Sequence, residues 1–339
     1  MENVKIAIID SGIDIKNKYI MRYVIGKKSF LLSDDLSEII EGSEIYDDEG
    51  HGTACAYTIL RRNENVEIMP IKIIDELGRT SSKCLLKALE FLVHTDIKLI
   101  NISLATVNFD YEKEFLKVCN ELVSRGKIIV ASMDNRYRDS LPSKLDNVVG
   151  VRGKNMGLTD EYWYNNKVNI QCICDNEPIV VPSIKKREMI LFGYNSKAAA
   201  VMTANISKIL NLNNEINYER LNILLEKDAT RMTWTDQDLI DDESDCSVKE
   251  KLNLESDVKD KIDLLCKLII DTYSCDIDIE DIYNCSLFSS ITNMNKHNFY
   301  YLLYEIENKF NIKLDYDKIS LKTFKSIYSL SELITNSRI

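Results

Sequence analysis

The sequence predicts an α/β protein, a parallel sheet with helices on both faces, followed by a small all-helical C-terminal domain. Three observations point there. Short apolar runs alternate with helical spacing through about residue 227. The stretch DQDLIDDESD, residues 236–245, sets six acids in ten residues with little to bury. Beyond it only helical spacing recurs.

The expected strands are residues 4–9, 71–74, 99–104, 128–131 and 148–151. Most are apolar at successive positions, as strands covered on both faces must be. Between them Leu85, Leu89, Leu92 and Val93 fall at helical spacing, as do Phe115, Cys119, Leu122 and Val123. Strand, helix, strand in sequence implies parallel pairing through crossovers, with the site outside the carboxyl ends of the strands. The acidic stretch reads as a solvated linker, or else as a charged loop within one domain. The linker reading divides the chain into a domain at 1–230, a linker at 231–256 and a helical domain at 257–339. In that tail, helical spacing is expected over 258–273, 298–310 and 323–333, with Leu264, Leu265, Leu268 and Ile269 on one face.

Composition narrows the function. A chain of 339 residues has room for about two domains. With 43 basic and 54 acidic residues, a net charge of -11 disfavours nucleic acid or an anionic membrane as the main partner. Nine cysteines at irregular spacing, only Cys172 and Cys174 close together, read as reduced thiols rather than a disulfide framework or a metal site. The first residues run into an apolar strand without a basic leader, and no apolar run reaches the roughly 20 residues of a membrane helix. The expectation is a cytoplasmic protein with no room for a prosegment before Asp10.

Chemistry gathers where strands end. Asp10-Ser11-Gly12 closes the first strand, and Gly50-His51-Gly52-Thr53 follows, glycines flanking one of three histidines. Asn101-Ile102-Ser103-Leu104-Ala105 and Val130-Ala131-Ser132-Met133-Asp134-Asn135 end two further strands. Asn195-Ser196-Lys197-Ala198-Ala199 puts a serine just before a helix that begins with small residues.

In this order the blocks resemble a subtilisin-like serine peptidase: the DSG block at Asp10, the HGT block at His51, the NxSLG strand at Asn101 and the TSxAA nucleophile block at Ser196. The resemblance covers residues 4 to about 227. It implies that His51 is the general base for Ser196, that Asp10 orients the imidazole, and that the Asn135 amide and the Ser196 N–H hold the oxyanion. It also implies that Ser103, Leu104 and Ala105 form an edge for an extended substrate, and that Ala131, Ser132 and Met133 line the first specificity pocket. The sheet core is the alternative for both. Three of the motifs depart from the family: Tyr194-Asn195-Ser196 replaces GTS, Asp134 replaces the glycine before the oxyanion asparagine, and Ala54 replaces the second histidine of HGTH. Asp47, Asp48 and Glu49 read as a solvated turn, so no metal and no cofactor is expected. His94 and His297 read as surface or helix-end residues. Arg136, beside Asn135, would favour an acidic side chain in the first pocket unless Asp134 pairs with it.

The tail resembles an acyl or peptidyl carrier domain in which Asn295-Lys296-His297 stands where the phosphopantetheine serine belongs. Ser289 and Ser290 lie upstream. A partner or a substrate segment, rather than a cofactor arm, is its expected ligand. Two functions follow: a serine endopeptidase that processes a specific precursor, such as a leader-bearing ribosomal peptide, or a catalytically silent cleft that holds a peptide without cutting it.

Overall fold

The first strand, β1 (Val4–Asp10), is buried at six of seven positions, as a strand in the middle of a covered sheet must be. This computed structural model describes residues 3–185, 188–240 and 256–335. After β1 come α1 (Lys18–Met21), β2 (Lys28–Leu32), β3 (Ile39–Gly42), α2 (His51–Leu60), β4 (Val66–Lys72), α3 (Ser82–Val93) and β5 (Leu99–Ile102). They are followed by α4 (Glu112–Ser124), β6 (Ile128–Ser132), β7 (Val149–Lys154), β8 (Tyr162–Tyr164), β9 (Cys172–Asp175), β10 (Ile179–Pro182) and β11 (Met189–Phe192). Helices close the chain: α5 (Tyr194–Leu212), α6 (Tyr218–Asp228), α7 (Ser256–Tyr273), α8 (Ile279–Tyr283), α9 (Phe299–Phe310) and α10 (Ile327–Thr335).

Nine strands form one sheet in the order β3-β2-β4-β1-β5-β6-β7-β9-β8, parallel except where β3 and β8 pair antiparallel at the two edges. Alternate residues of the central strands, among them Ile9, Ile102 and Ile129, pack with α3 and α4 on one face. On the other face α5 lies across β5, β6, β7 and β9 and packs against α2. The fold is the expected mostly parallel sheet with helices, plus a helical C-terminal region. Because β4 lies on one side of β1 and β5 on the other, the winding reverses at β1, and a crevice opens outside the ends of β1 and β5.

Several elements differ from the sequence reading. β4 begins at Val66, not at residue 71, since Pro70 interrupts the apolar run yet keeps register with Ile8. The two outermost strands at each end of the sheet, β3 and β2, and β9 and β8, are not signalled by the sequence; β2 and β3 are short and partly exposed, so they lack a continuous apolar signal. The third tail helix divides into a 3-10 turn, Leu321–Phe324, and α10. Residues 231–240, read as linker, are tied to the sheet. The Tyr164 N–H donates to the Arg231 carbonyl at 2.9 Å, and Lys154 Nζ to the Ile240 carbonyl at 2.9 Å. Residues 241–255 of the acidic stretch lie outside the described residues.

The chain divides into two units, Met1–Asn176 with Gly193–Ile240, and Glu177–Phe192 with Asp241–Ile339. The hairpin of β10 and β11, inserted between β9 and α5, thus belongs to the helical unit. Val180 is 1 % exposed in a core with Ile262, Ile269, Leu302 and Leu330, and Met189 and Leu191 pack against it. The Leu321 N–H donates to the Pro178 carbonyl at 3.0 Å, and the Lys322 N–H to Glu177 Oε1 at 3.1 Å.

Val180→Ala removes two carbons from that core and should cost roughly 2 kcal/mol. Both tryptophans, Trp163 and Trp234, belong to the first unit. Hydrogen exchange should therefore show α7 and α9 losing protection while the tryptophan fluorescence transition moves less. Unchanged exchange in α7 and α9 would show that the hairpin does not support the helical unit.

Candidate active site

Asp10, the last residue of β1, is fully buried, and its carboxylate is satisfied from several sides. Oδ1 accepts from the Ser11 N–H at 2.7 Å and the Ser11 hydroxyl at 3.2 Å, while His51 Nδ1 lies 2.8 and 3.0 Å from the two oxygens. His51 opens α2, and its position follows from how that helix begins. Asp47, buried, accepts from the Gly50 N–H at 2.7 Å and the Thr53 N–H at 2.9 Å, occupying donors that a helix N-terminus leaves unpaired. The Ser11 hydroxyl accepts from the Gly52 N–H at 2.9 Å. A Cβ on Gly52 would meet the Gly12 carbonyl at 2.3 Å, so only glycine lets α2 approach the end of β1 this closely. Two of the three acids before His51 are therefore structural, and the first is not part of a solvated turn: Asp47 is buried and caps α2, and Asp48 pairs with Lys72 at 2.6 Å.

Ser196 is the third residue of α5, where the backbone N–H has no partner within the helix and the dipole favours an anion. The next four residues, Lys197 to Ala200, are fully buried, and the alanines let the helix lie close to the sheet. The Ser196 hydroxyl donates to the Ser103 carbonyl at 3.0 Å, and the Ser103 hydroxyl donates to the Ser196 carbonyl at 3.3 Å. Asn101 steadies this contact from below. Its amide donates to the Ser103 hydroxyl at 3.0 Å, and its Oδ1 accepts from Thr203 of α5 at 2.8 Å. Asn135 stands exposed near the start of the loop after β6, its Oδ1 accepting from the Asn195 N–H at 3.3 Å.

Among the other expected residues, Leu104 and Ala105 lie past the end of β5 and carry no backbone hydrogen bond among the described residues. That is the condition for an edge that an extended chain can join. Ser132 and Met133 are buried at the end of β6. Ala131 packs in the sheet core with Ile100 and Ile129, the ordinary place for an apolar residue in a covered strand. Asp134 pairs with Arg138, not Arg136: its carboxylate accepts from Arg138 Nε and Nη2 at 3.0 and 3.1 Å. Tyr194 is 68 % exposed at φ 62°, a left-handed conformation that suits the family's glycine and strains a tyrosine.

The sequence reading missed three contributors. Ser11 holds Asp10, as described. Cys55, one turn along α2 from His51, is buried with its thiol 3.7 Å from Asp10 Oδ2; burial pushes this thiol up, so it stays protonated. The third, the Asn195 side chain, is described further below. A spacing of four from His51 was the only signal for Cys55. Donor atoms of Asp10, His51 and Cys55 lie within 4.8 Å of one another, the one such group among the described residues able to hold a metal ion. The eight described cysteines are free thiols, Cys172 and Cys174 lying 3.5 Å apart.

Burial of His51 opposes its protonated form, but the Asp10 carboxylate outweighs it and holds the imidazole well above the ordinary value of 6.5. The ring keeps 29 % of its side-chain surface open.

Comparison with known proteins gives the family and the fold. Residues 1–244 match the family described as the Subtilase family. Subtilisin E of Bacillus subtilis (strain 168) and Subtilisin J of Geobacillus stearothermophilus are each 27% identical over 142 residues, 39% of this chain and 34% of theirs. For the Subtilisin of Bacillus pumilus the figures are 27% over 142 residues, 39% and 48%. The chain thus spans about a third to a half of the length of these curated relatives. A lanthipeptide protease crystal structure superposes with a TM-score of 0.55 at 19% identity, covering 68% of this chain and 81% of that one. A cold-adapted subtilisin-like serine proteinase does so at 0.56 and 15%, covering 69% and 86%. These structural likenesses show the fold.

The raised imidazole has a definite sign. Neutral His51 is the form that accepts a proton, so kcat/KM should climb with pH through an apparent pKa above 6.5, higher than the range of about 6 to 7 that an unperturbed histidine implies. The stability that the Asp10–His51 attraction contributes is fully present below the unfolded histidine value and is lost as pH rises through the folded one. Asp10→Asn removes the attraction, so the limb should move down and the rate should fall by a factor on the order of 10⁴. A limb that stays in place in the pH profile of Asp10→Asn would show that Asp10 does not set the His51 pKa.

Proposed function

Because this chain belongs to the subtilase family over residues 1–244, we propose that it is a serine endopeptidase acting through Asp10, His51 and Ser196. The observation that carries the reading is His51 Nδ1 seated on the buried Asp10 carboxylate at 2.8 Å, with Ser196 at the N-terminus of α5. That carboxylate fixes Nδ1–H as the donor and leaves Nε2 to act as base. In the reaction the Ser196 hydroxyl turns from the Ser103 carbonyl, gives its proton to His51, and its oxygen bonds to the substrate carbonyl carbon. The oxygen that becomes negative is held by Asn135 Nδ2 and the Ser196 N–H. Protonated His51 then gives the proton to the departing amine as the C–N bond breaks, leaving an acyl-enzyme that water, deprotonated by the same imidazole, releases.

The narrower part of the proposal concerns the substrate. A lanthipeptide protease shares this fold, and a separate helical unit offers a second surface for a long peptide. Both are consistent with processing of a specific precursor inside the cell. In the helical unit Ser289, Ser290, Asn293, Asn295 and Lys296 line an open pocket of about 480 Å³, a place for a partner or a substrate segment. No helix among the described residues is long and apolar enough to cross a membrane.

A second reading, a silent peptide-binding cleft, is favoured by the Ser196 hydroxyl being turned onto the Ser103 carbonyl. A fluorophosphonate probe separates the two. Wild type should label and Ser196→Ala should not; folded wild type that fails to label across a broad pH range would end the peptidase reading.

Selectivity can be read from a peptide library. With the Asp134 charge committed to Arg138, the exposed Arg136 beside Asn135 should favour an acidic residue before the cleaved bond, and Arg136→Ala should erase the preference. Equal cleavage after Leu and Glu by wild type would discard it.

A further inference from the structure

We propose that Asn195 is a positioning residue for the oxyanion hole: its side chain clamps the loop that carries Asn135, and its backbone N–H sets which face of the Asn135 amide meets the substrate. The proposal rests on the oxyanion role given to Asn135 above. The resembled family has threonine here, so the side chain is this chain's own departure.

Asn195 is 1 % exposed, and its amide is paired at both its oxygen and its nitrogen. Oδ1 accepts from the Gly153 N–H of β7 at 2.8 Å, while Nδ2 donates to the Met133 carbonyl at 3.2 Å and the Asp134 carbonyl at 3.0 Å. Both N–H donors of the side-chain amide and one of the two lone pairs on its oxygen are thereby engaged. One residue thus ties the start of α5, the end of β6 and β7 together, at the point where the chain leaves β6 for Asn135. From the other side Asp134 is fixed by Arg138 and by its own N–H donating to the Ser140 hydroxyl at 2.9 Å. A threonine hydroxyl, with one donor, cannot reach two carbonyls at once. An aspartate would face both with no donor at all.

The Asn195 N–H acts on Asn135 directly. It donates to Asn135 Oδ1 at 3.3 Å, and Asn135 Nδ2 has no hydrogen-bond partner among the described residues. The exposed amide is thereby held in one of its two flips. The opposite flip would aim Oδ1, an acceptor, at the oxygen that gains negative charge, turning a stabilising donor into a repulsive contact. A donor already oriented needs no reorganisation when the charge develops. The clamp reaches residue 134 through its backbone carbonyl, so it joins the asparagine before Ser196 to the residue before Asn135 whatever side chain stands there.

The test is a double-mutant cycle on the full chain, Asn195→Ala and Asn135→Ala singly and together, with kcat, KM and the affinity of a peptide aldehyde measured for each. An aldehyde adds to Ser196 Oγ and places its former carbonyl oxygen in the oxyanion hole. Asn135→Ala should lower kcat by about 10² to 10³, the range known for one such donor in a subtilisin. Asn195→Ala should lower kcat about tenfold at nearly unchanged KM and weaken the aldehyde by a similar factor, whereas in the Asn135→Ala background the same change should cost less than about twofold. A loss of equal size in both backgrounds, or none in either, overturns the clamp and leaves the oxyanion role of Asn135 standing. Turnover unaffected by Asn135→Ala removes that role and the clamp with it. If Asn195→Ala does not fold, Asn195→Thr runs the same cycle, since it keeps the backbone N–H and removes the fork to Met133 and Asp134; the same two outcomes decide.

Discussion

A fully buried carboxylate, Asp10, sets the terms for everything around it. An ionised carboxylate out of water is tolerated only where donors surround it. Here the donors are Ser11, through both its N–H and its hydroxyl, and His51 Nδ1, with the Cys55 thiol farther off. Each demand reaches outward. Ser11 must also hold Gly52, Gly52 must lack a Cβ to sit against Gly12, and α2 must start at His51, which the buried Asp47 secures by capping it. The placement of His51 is thus a consequence of how one strand ends, and its raised pKa follows from the same charge.

The other half of the site depends on α5 reaching the end of β5. Ser103 and Ser196 exchange hydroxyl-to-carbonyl hydrogen bonds in both directions, with Asn101 and Thr203 behind them, so strand end and helix start are joined by polar contacts inside an otherwise apolar interface. Buried networks of this kind are favourable only when every member is satisfied, and these are. The same accounting covers Lys197, fully buried after Ser196 and paired with Asp175 at the end of β9. Asp175 and Gly193 bracket the excursion of the chain into the helical unit, so the pair joins the two sides of that departure within the first unit.

Legibility followed distance in sequence. β1, β5 and β6 announced themselves because a doubly covered strand is apolar throughout, and α3 and α4 because one face of each is apolar. Asp10, His51, Asn135 and Ser196 were legible from their short local contexts and their order. What escaped depends on partners far along the chain. β10 and β11 are four residues each, too short to show a period, and their assignment to the helical unit rests on contacts such as Val180 with α7 and α9. Nothing near Asp134 in sequence signals Arg138 over Arg136 as its partner, since both are close enough; only the loop's course decides. The fork made by Asn195 joins residues about 40 and 60 positions away, beyond any local pattern.

Tyr194 shows how far such a site departs from local preference. The chain must turn from extended Gly193 into α5, and the turn needs a positive φ at residue 194. Glycine would adopt it without steric cost, while a residue with a Cβ meets a penalty of roughly 1–2 kcal/mol there. Burial cannot offset that penalty, because the ring is 68 % exposed. The conformation persists because the chain directly after it is fixed: Asn195 is bound to β6 and β7, and Ser196 to Ser103. Strain that the surroundings over-determine, on an exposed aromatic two residues before Ser196, is of the kind that clusters at functional sites and adds nothing to the stability of the fold.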